Sequence, residues 1–146
     1  MLVAGLREGL NKFLSNAFIH LVNAETGRKK YQQADWISVT AKQRMESREK
    51  SGFVYEHMIP KRIYIQKPCE VAAKSGALNV EFVEDLLDRY WHIAVVTQDE
   101  DKALADKGLR NRMPKCWDGV DIFARYHAVG ITLIRYASNI TIEADT

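Results

Sequence analysis

Long apolar runs are missing from this chain of 146 residues. The most apolar stretch, "MLVAGLREGLNKFLSNAFIHLVN", is broken by Arg7, Glu8, Asn11 and Lys12, so it fits neither a membrane span nor the unbroken apolar core of a secretory signal. A cytoplasmic location with no membrane partner is therefore expected. Cysteine is scarce: Cys69 and Cys116 stand alone, without a CxxC pair. That excludes a disulfide framework and a zinc knuckle. The glycine patterns of a Walker loop or a dinucleotide fingerprint are absent, as is the GxSxG elbow of a serine hydrolase. Internal repeats, low-complexity tracts and interdomain linkers are missing too.

What is present is the balance of a soluble globular chain, 47% apolar and 27% charged, of a length that suits a single domain over 1–146. The net charge of +2 is small, but its distribution is uneven. Residues 28–74 hold eleven Lys/Arg against five Asp/Glu, and residues 79–106 hold two against eight. Such a split suits a basic surface for a polyanion beside an acidic site for a cation; it equally suits two segments that attract each other.

Residues 2–22 place Leu6, Leu10, Phe13, Leu14, Phe18 and Leu21 at helical spacing. Residues 28–50 read as a second helix with a less regular apolar side, stopping at Gly52. Together they make 1–50 a helical N-terminal part. "GFVYEHMIP" is extended, and "KRIYIQK" is either a second strand or an irregular loop. "PCEVAAKSGA" is a short helix. Asn79 caps the next one, with Leu78 and Val83 at the positions of a hydrophobic staple. Residues 92–97 form a strand. "TQDEDKALADKG" follows as a helix with Thr97 and Glu100 spaced as a capping box and Gly108 as its stop. After a loop, Asp121 caps "IFARYHAVG", and "ITLIRY" and "ITIEA" read as a C-terminal hairpin over 132–146.

Chemistry concentrates at Glu56-His57. A carboxylate is a hard ligand for a divalent cation, and a neutral imidazole takes a proton near neutral pH. Neighbours on a strand point apart, so a turn at Ile59-Pro60 would have to bring both to one pocket. A metal needs a second ligand, and the acidic start of the later helix offers three. Glu100 has a capping role and Asp99 suits the helix dipole, so Asp101 is the acid that helix-start chemistry explains least. Arg44 and Arg48, with Lys61 and Arg62, form a basic flank to the motif. Arg110, Arg112 and Arg125 either grip phosphates or pin their loop by ion pairs. His20, His92 and His127 read as structural, and Trp117 and Tyr126 as loop anchors.

The succession "EHMIP", then "VVTQDEDKAL", then "GLRNRMPKCWDGVDIFARYHAVGI" resembles the HNH, or ββα-metal, endonuclease superfamily, in a bacterial variant with an EHxIP motif. The resemblance covers residues 53–131. It implies an α+β fold in which N-terminal helices pack on a small ββα-metal-like core (51–131) with a C-terminal β-hairpin. It implies a metal-dependent DNA endonuclease with His57 as general base, Glu56 and Asp101 as ligands of Mg²⁺ or Mn²⁺, and DNA contacts from Arg44, Arg48, Lys61, Arg62, Arg110 and Arg112. Two departures stand out. The central Asn is missing, since Asn79 reads as a cap, and an acid replaces the helix His. The alternatives are a variant metal site or an inactive HNH-like module that binds nucleic acid or protein, a second copy of itself included.

Overall fold

The computed structural model describes residues 19–20 and 34–136, which divide into two compact units. The first contains residues 59–91 with 19–20. The second contains residues 34–58 and 92–136. Residues 59–91 are thus an excursion of the chain from the second unit, and the fold as a whole is α+β.

The second unit is built on a sheet of β1 (Trp36–Ser38), β2 (Phe53–His57), β3 (Ile93–Thr97) and β4 (Leu133–Arg135), in the order β2-β3-β1-β4. β3 runs antiparallel to β2 and parallel to β1, and β4 is antiparallel to β1. β3 is buried at all five positions, as "IAVVT" requires of a strand covered on both sides. Its alternation sorts the core into two layers. Ala94 and Val96 pack with Met58, Leu104, Leu109, Tyr126 and Ile131. Ile93 and Val95 pack with Ala34, Ile37 and Ala41. The first layer is closed by α4 (Gln98–Asp106) and α5 (Ala124–Ala128), the second by α1 (Val39–Glu46).

The expected helix over 28–50 is corrected in its described part. Trp36 and Ile37 are strand formers and pair with β3 and β4; the helix begins only at Val39, where Ser38 Oγ accepts the Ala41 N–H at 3.0 Å. The same Ser38 hydroxyl donates to Glu100 Oε1 at 2.6 Å. Glu100 Oε1 also accepts the Thr97 N–H at 2.9 Å, while Thr97 Oγ1 accepts the Glu100 N–H at 3.1 Å. The predicted capping box is therefore formed, and it doubles as the knot that ties α1 to the start of α4. Gly108, at φ +71°, ends α4 in a conformation that favours glycine.

In the first unit, α2 (Lys67–Lys74) and α3 (Val80–Tyr90) enclose a core of Ile65, Cys69, Val83, Leu86, Leu87 and Trp91. Asn79 Oδ1 accepts the Phe82 N–H at 2.8 Å, the cap its sequence position predicts. "KRIYIQK" is neither strand nor loop: Arg62–Gln66 is a π-helical turn running straight into α2. Ile65 and Cys69, four apart, are both fully buried, so the apolar period here is helical rather than two. Burial pushes the Cys69 thiol up to about 11, which leaves it an inert packing group.

The helix expected over 2–22 and the strand "ITIEA" fall outside the described residues, apart from Ile19 and His20, which are helical. β4 pairs with β1, and its predicted hairpin partner lies outside that range. Among the described residues no helix is long and apolar enough to cross a membrane.

Candidate functional site

The antiparallel register pairs Glu56 with Ala94 and His57 with Ile93. Residues directly opposite each other share a face of the sheet. Ala94 belongs to the layer under α4 and α5, and Ile93 to the layer under α1. Glu56 and His57 therefore leave β2 on opposite faces. The strand extends through His57, so no turn intervenes to bring the two side chains together.

On the α4/α5 face Glu56 enters a dense polar cluster. Tyr126 Oη donates to Glu56 Oε1 at 2.5 Å, and Arg125 Nη2 donates to the same oxygen at 3.2 Å. Arg125 is 0% exposed and spends its other donors on backbone carbonyls: Nε on Met58 O (3.1 Å), Nη1 on Leu109 O (2.8 Å) and Nη2 on His57 O (2.7 Å). Its guanidinium also sits 5.1 Å from the Tyr126 ring. One side chain thus fixes the end of β2 and the loop after α4 together. This decides between the two roles open to Arg125: it pins the fold and does not face a phosphate. A buried guanidinium demands this saturation, because each unmet donor would carry a desolvation penalty.

Burial raises the Glu56 carboxyl above its ordinary range, and the negative charge of Asp101 adds to that; Arg125 and the Tyr126 hydroxyl pull the other way. Burial, with Glu56 beside it, also holds Tyr126 well above the usual phenol value. Asp101 lies on α4, 20% exposed in its side chain, with Arg110 Nη2 at 2.9 Å from Oδ2. The charge of Asp101 thus bears on the proton affinity of Glu56, and the helix that carries it packs against β2. Both hydrogen bonds to Glu56 fall on Oε1, leaving Oε2 for another ligand.

The predicted cations are mostly engaged. Arg44 pairs with Asp99 (3.5 Å) and Glu49 (3.9 Å), Arg62 with Glu70 (2.7 Å), and Arg110 with Asp101. Lys61 lies 5.3 Å from the Trp91 ring, and burial lowers its pKa. Arg48 and Arg112 are exposed and make no ion pair among the described residues. Trp117 is a loop anchor as read, donating from Nε1 to Asp121 O at 2.8 Å. Asp121 accepts the Phe123 N–H at 2.9 Å, one turn before α5. His127 is exposed, stacked on Phe123 and 4.0 Å from Asp121. The buried Arg125–Tyr126 clamp was the part missed by sequence reasoning; its trace was the adjacency "ARY" inside an apolar helix, where a charged residue needs a partner from elsewhere in the chain.

Comparison with protein-family models, with curated proteins and with solved structures finds no match to this chain.

The donor set fits only one style of metal binding. Among the described residues no group of three or more His, Cys, Asp and Glu is arranged to hold an ion. Glu56 Oε2 and Asp101 are two hard oxygen donors, which suits a cation such as Mg²⁺ or Mn²⁺ that keeps most of its waters and takes further oxygens from a phosphate. They do not suit a soft, fully protein-caged ion.

Proposed function

We propose that the chain is a divalent-metal-dependent endonuclease that hydrolyses DNA phosphodiester bonds, with Glu56 and Asp101 as the metal carboxylates. The observation that supports the reading is that Asp101, on α4, lies close enough to Glu56, at the end of β2, for its charge to raise that carboxyl. Support comes from β2 and β3 being antiparallel with α4 directly after β3, although the π-helical turn, α2 and α3 lie between the two strands in the chain. Bound there, the cation would supply Lewis-acid stabilisation of charge on the scissile phosphate. The residues of the chain do the rest. Arg125 and Tyr126 hold Glu56 by one oxygen, Oε1. Arg110 holds Asp101 in place by its ion pair. His57 enters as general base through the resemblance alone, and its side chain lies across β2 from Glu56.

The test is nicking of supercoiled plasmid with Mg²⁺ or Mn²⁺, beside Glu56→Gln, Asp101→Asn and His57→Ala. Loss of nicking in both carboxylate variants is expected. Nicking that survives in His57→Ala removes the base assignment and leaves the carboxylate site intact. An absence of nicking with every divalent metal overturns the reading.

The second reading is an inactive HNH-like module that binds nucleic acid or a protein. It is favoured by the ion pair that already satisfies Glu56 and by the separation of Glu56 from His57. Salt-dependent DNA binding with no metal requirement and no cleavage is its signature.

A further inference from the structure

The α1 side of the sheet carries a feature that the carboxylate site does not use. A groove of about 590 Å³ opens between the end of α1 and edge strand β2, with Met45, Arg48, Glu49, Lys50, Phe53 and Tyr55 among its lining residues; Glu49 is 3.9 Å from Arg44. Its volume falls in the range of small-ligand sites, roughly 300–1,000 Å³. Phe53 and Tyr55 are two apart on β2, so both rings stand on this face, half-buried against the α1 layer. Arg48 and Lys50 are exposed, and neither side chain enters an ion pair or hydrogen bond among the described residues. Their neighbour Arg44 is different, being held by Glu49 and Asp99. Arg48 also sits at φ +66°, where a residue with a Cβ is strained.

We propose that this groove binds unpaired nucleotides of single-stranded DNA, with Phe53 and Tyr55 as the stacking floor and Arg48 and Lys50 as the phosphate contacts. The inference rests on the nucleic-acid reading above and names its substrate form. Aromatic rings set into a groove stack on a base only when that base is free of its partner. The two cations on the rim offer charge to backbone phosphates, since neither side chain makes an ion pair or hydrogen bond among the described residues and the Glu49 between them is 3.9 Å from Arg44. A duplex keeps its base faces covered and gains from the cations alone.

The experiment is fluorescence anisotropy of a labelled ten-nucleotide oligo-dT, and of the matching duplex, with the full chain in EDTA so that nothing is cut. The single strand is expected to bind at least tenfold tighter than the duplex at low salt. Arg48→Ala with Lys50→Ala is expected to weaken it at least tenfold and to lower the slope of log affinity against log salt by about 1.4, two contacts at about 0.7 each. Tyr55→Leu is expected to weaken binding about fivefold or more, and Tyr55→Phe to restore it, which separates stacking from a merely structural role. Equal binding of duplex and single strand, no binding by the wild type, or an affinity and salt slope indifferent to the two cations each overturns the inference. Should Tyr55→Leu fail to fold, the exposed pair Arg48 and Lys50 decides alone. Plasmid nicking on the same preparations keeps the two readings apart. Nicking with indifferent oligonucleotide binding removes the groove and spares the nuclease. Groove-dependent binding with no nicking does the reverse.

Discussion

The two faces of β2 spend their polar groups differently. On one, Glu56, Arg125 and Tyr126 close a buried network in which nearly every donor meets an acceptor. On the other, Arg48 and Lys50 line a groove with two half-buried rings, and their side chains make no ion pair or hydrogen bond among the described residues. Charge that the fold consumes reports on stability first. Charge left over, beside apolar surface and at some conformational cost, reports on a ligand. The Glu56 face is harder to interpret because it does both: one carboxylate oxygen is tied to the clamp and the other is left open.

The largest effect should come from breaking the clamp. Arg125→Met is expected to lower stability by about 3–5 kcal/mol in urea denaturation, since it removes one partner of a buried ion pair and leaves four backbone carbonyls without this donor. A loss below about 1 kcal/mol would mean that Glu56 and those carbonyls find other partners, and the network would not be what holds β2 to the loop after α4. Next comes the knot at the start of α4. Glu100→Ala removes the acceptor shared by Thr97 N–H and Ser38 Oγ and is expected to cost about 1–2 kcal/mol. Asp101→Asn, one residue on, is expected to cost far less, because its ion pair among the described residues is with an exposed Arg110. If Asp101 proved the costlier of the two, it would be structural and a poor metal ligand.

That contrast between neighbouring acids was legible in the sequence, because capping boxes and dipole preferences are local. So were the Asn79 cap, β3 and the glycine stop at Gly108, each of them set by a few adjacent residues. β1 was not legible: three residues become a strand only because β3 and β4 flank them. The π-helical turn at Arg62–Gln66 was hidden for the same reason, its two isoleucines alternating like a strand until Cys69 shows the helical period. For the site, the choice of Asp101 among the three acids was made from the sequence, since it was the one without a local role in starting the helix. The opposition of Glu56 and His57 needed the length of β2, and the clamp needed contacts spanning nearly seventy residues, from Arg125 back to Glu56.

A smaller, pH-dependent effect tests whether burial or Arg125 governs Glu56. A carboxyl whose folded pKa is raised binds its proton more tightly folded than unfolded. Wild-type stability is then drawn down as pH climbs from below 4.5 through the raised folded value. Glutamine does not titrate, and its amide oxygen still accepts from Tyr126 and Arg125. Glu56→Gln should therefore gain on the wild type across that window, measured by denaturant midpoints from pH 4 to 8. A gap that moves toward the wild type instead would show that the guanidinium outweighs burial, and Glu56 would carry a full charge at neutral pH.

The smallest effect has the opposite sign and concerns the other face. Arg48 holds φ +66° just beyond the end of α1, where its side chain makes no ion pair or hydrogen bond among the described residues. Glycine reaches that conformation without strain, so Arg48→Gly is expected to stabilise the chain by about 0.5–1 kcal/mol, after allowing for the greater freedom of glycine when unfolded. The same variant should weaken oligo-dT binding, because one of the two phosphate contacts is gone. Stability and binding moving in opposite directions would mark Arg48 as a residue kept at the fold's expense for a ligand. If stability fell together with binding, Arg48 would be supporting the end of α1, and the leftover charge on this face would shrink to Lys50 alone.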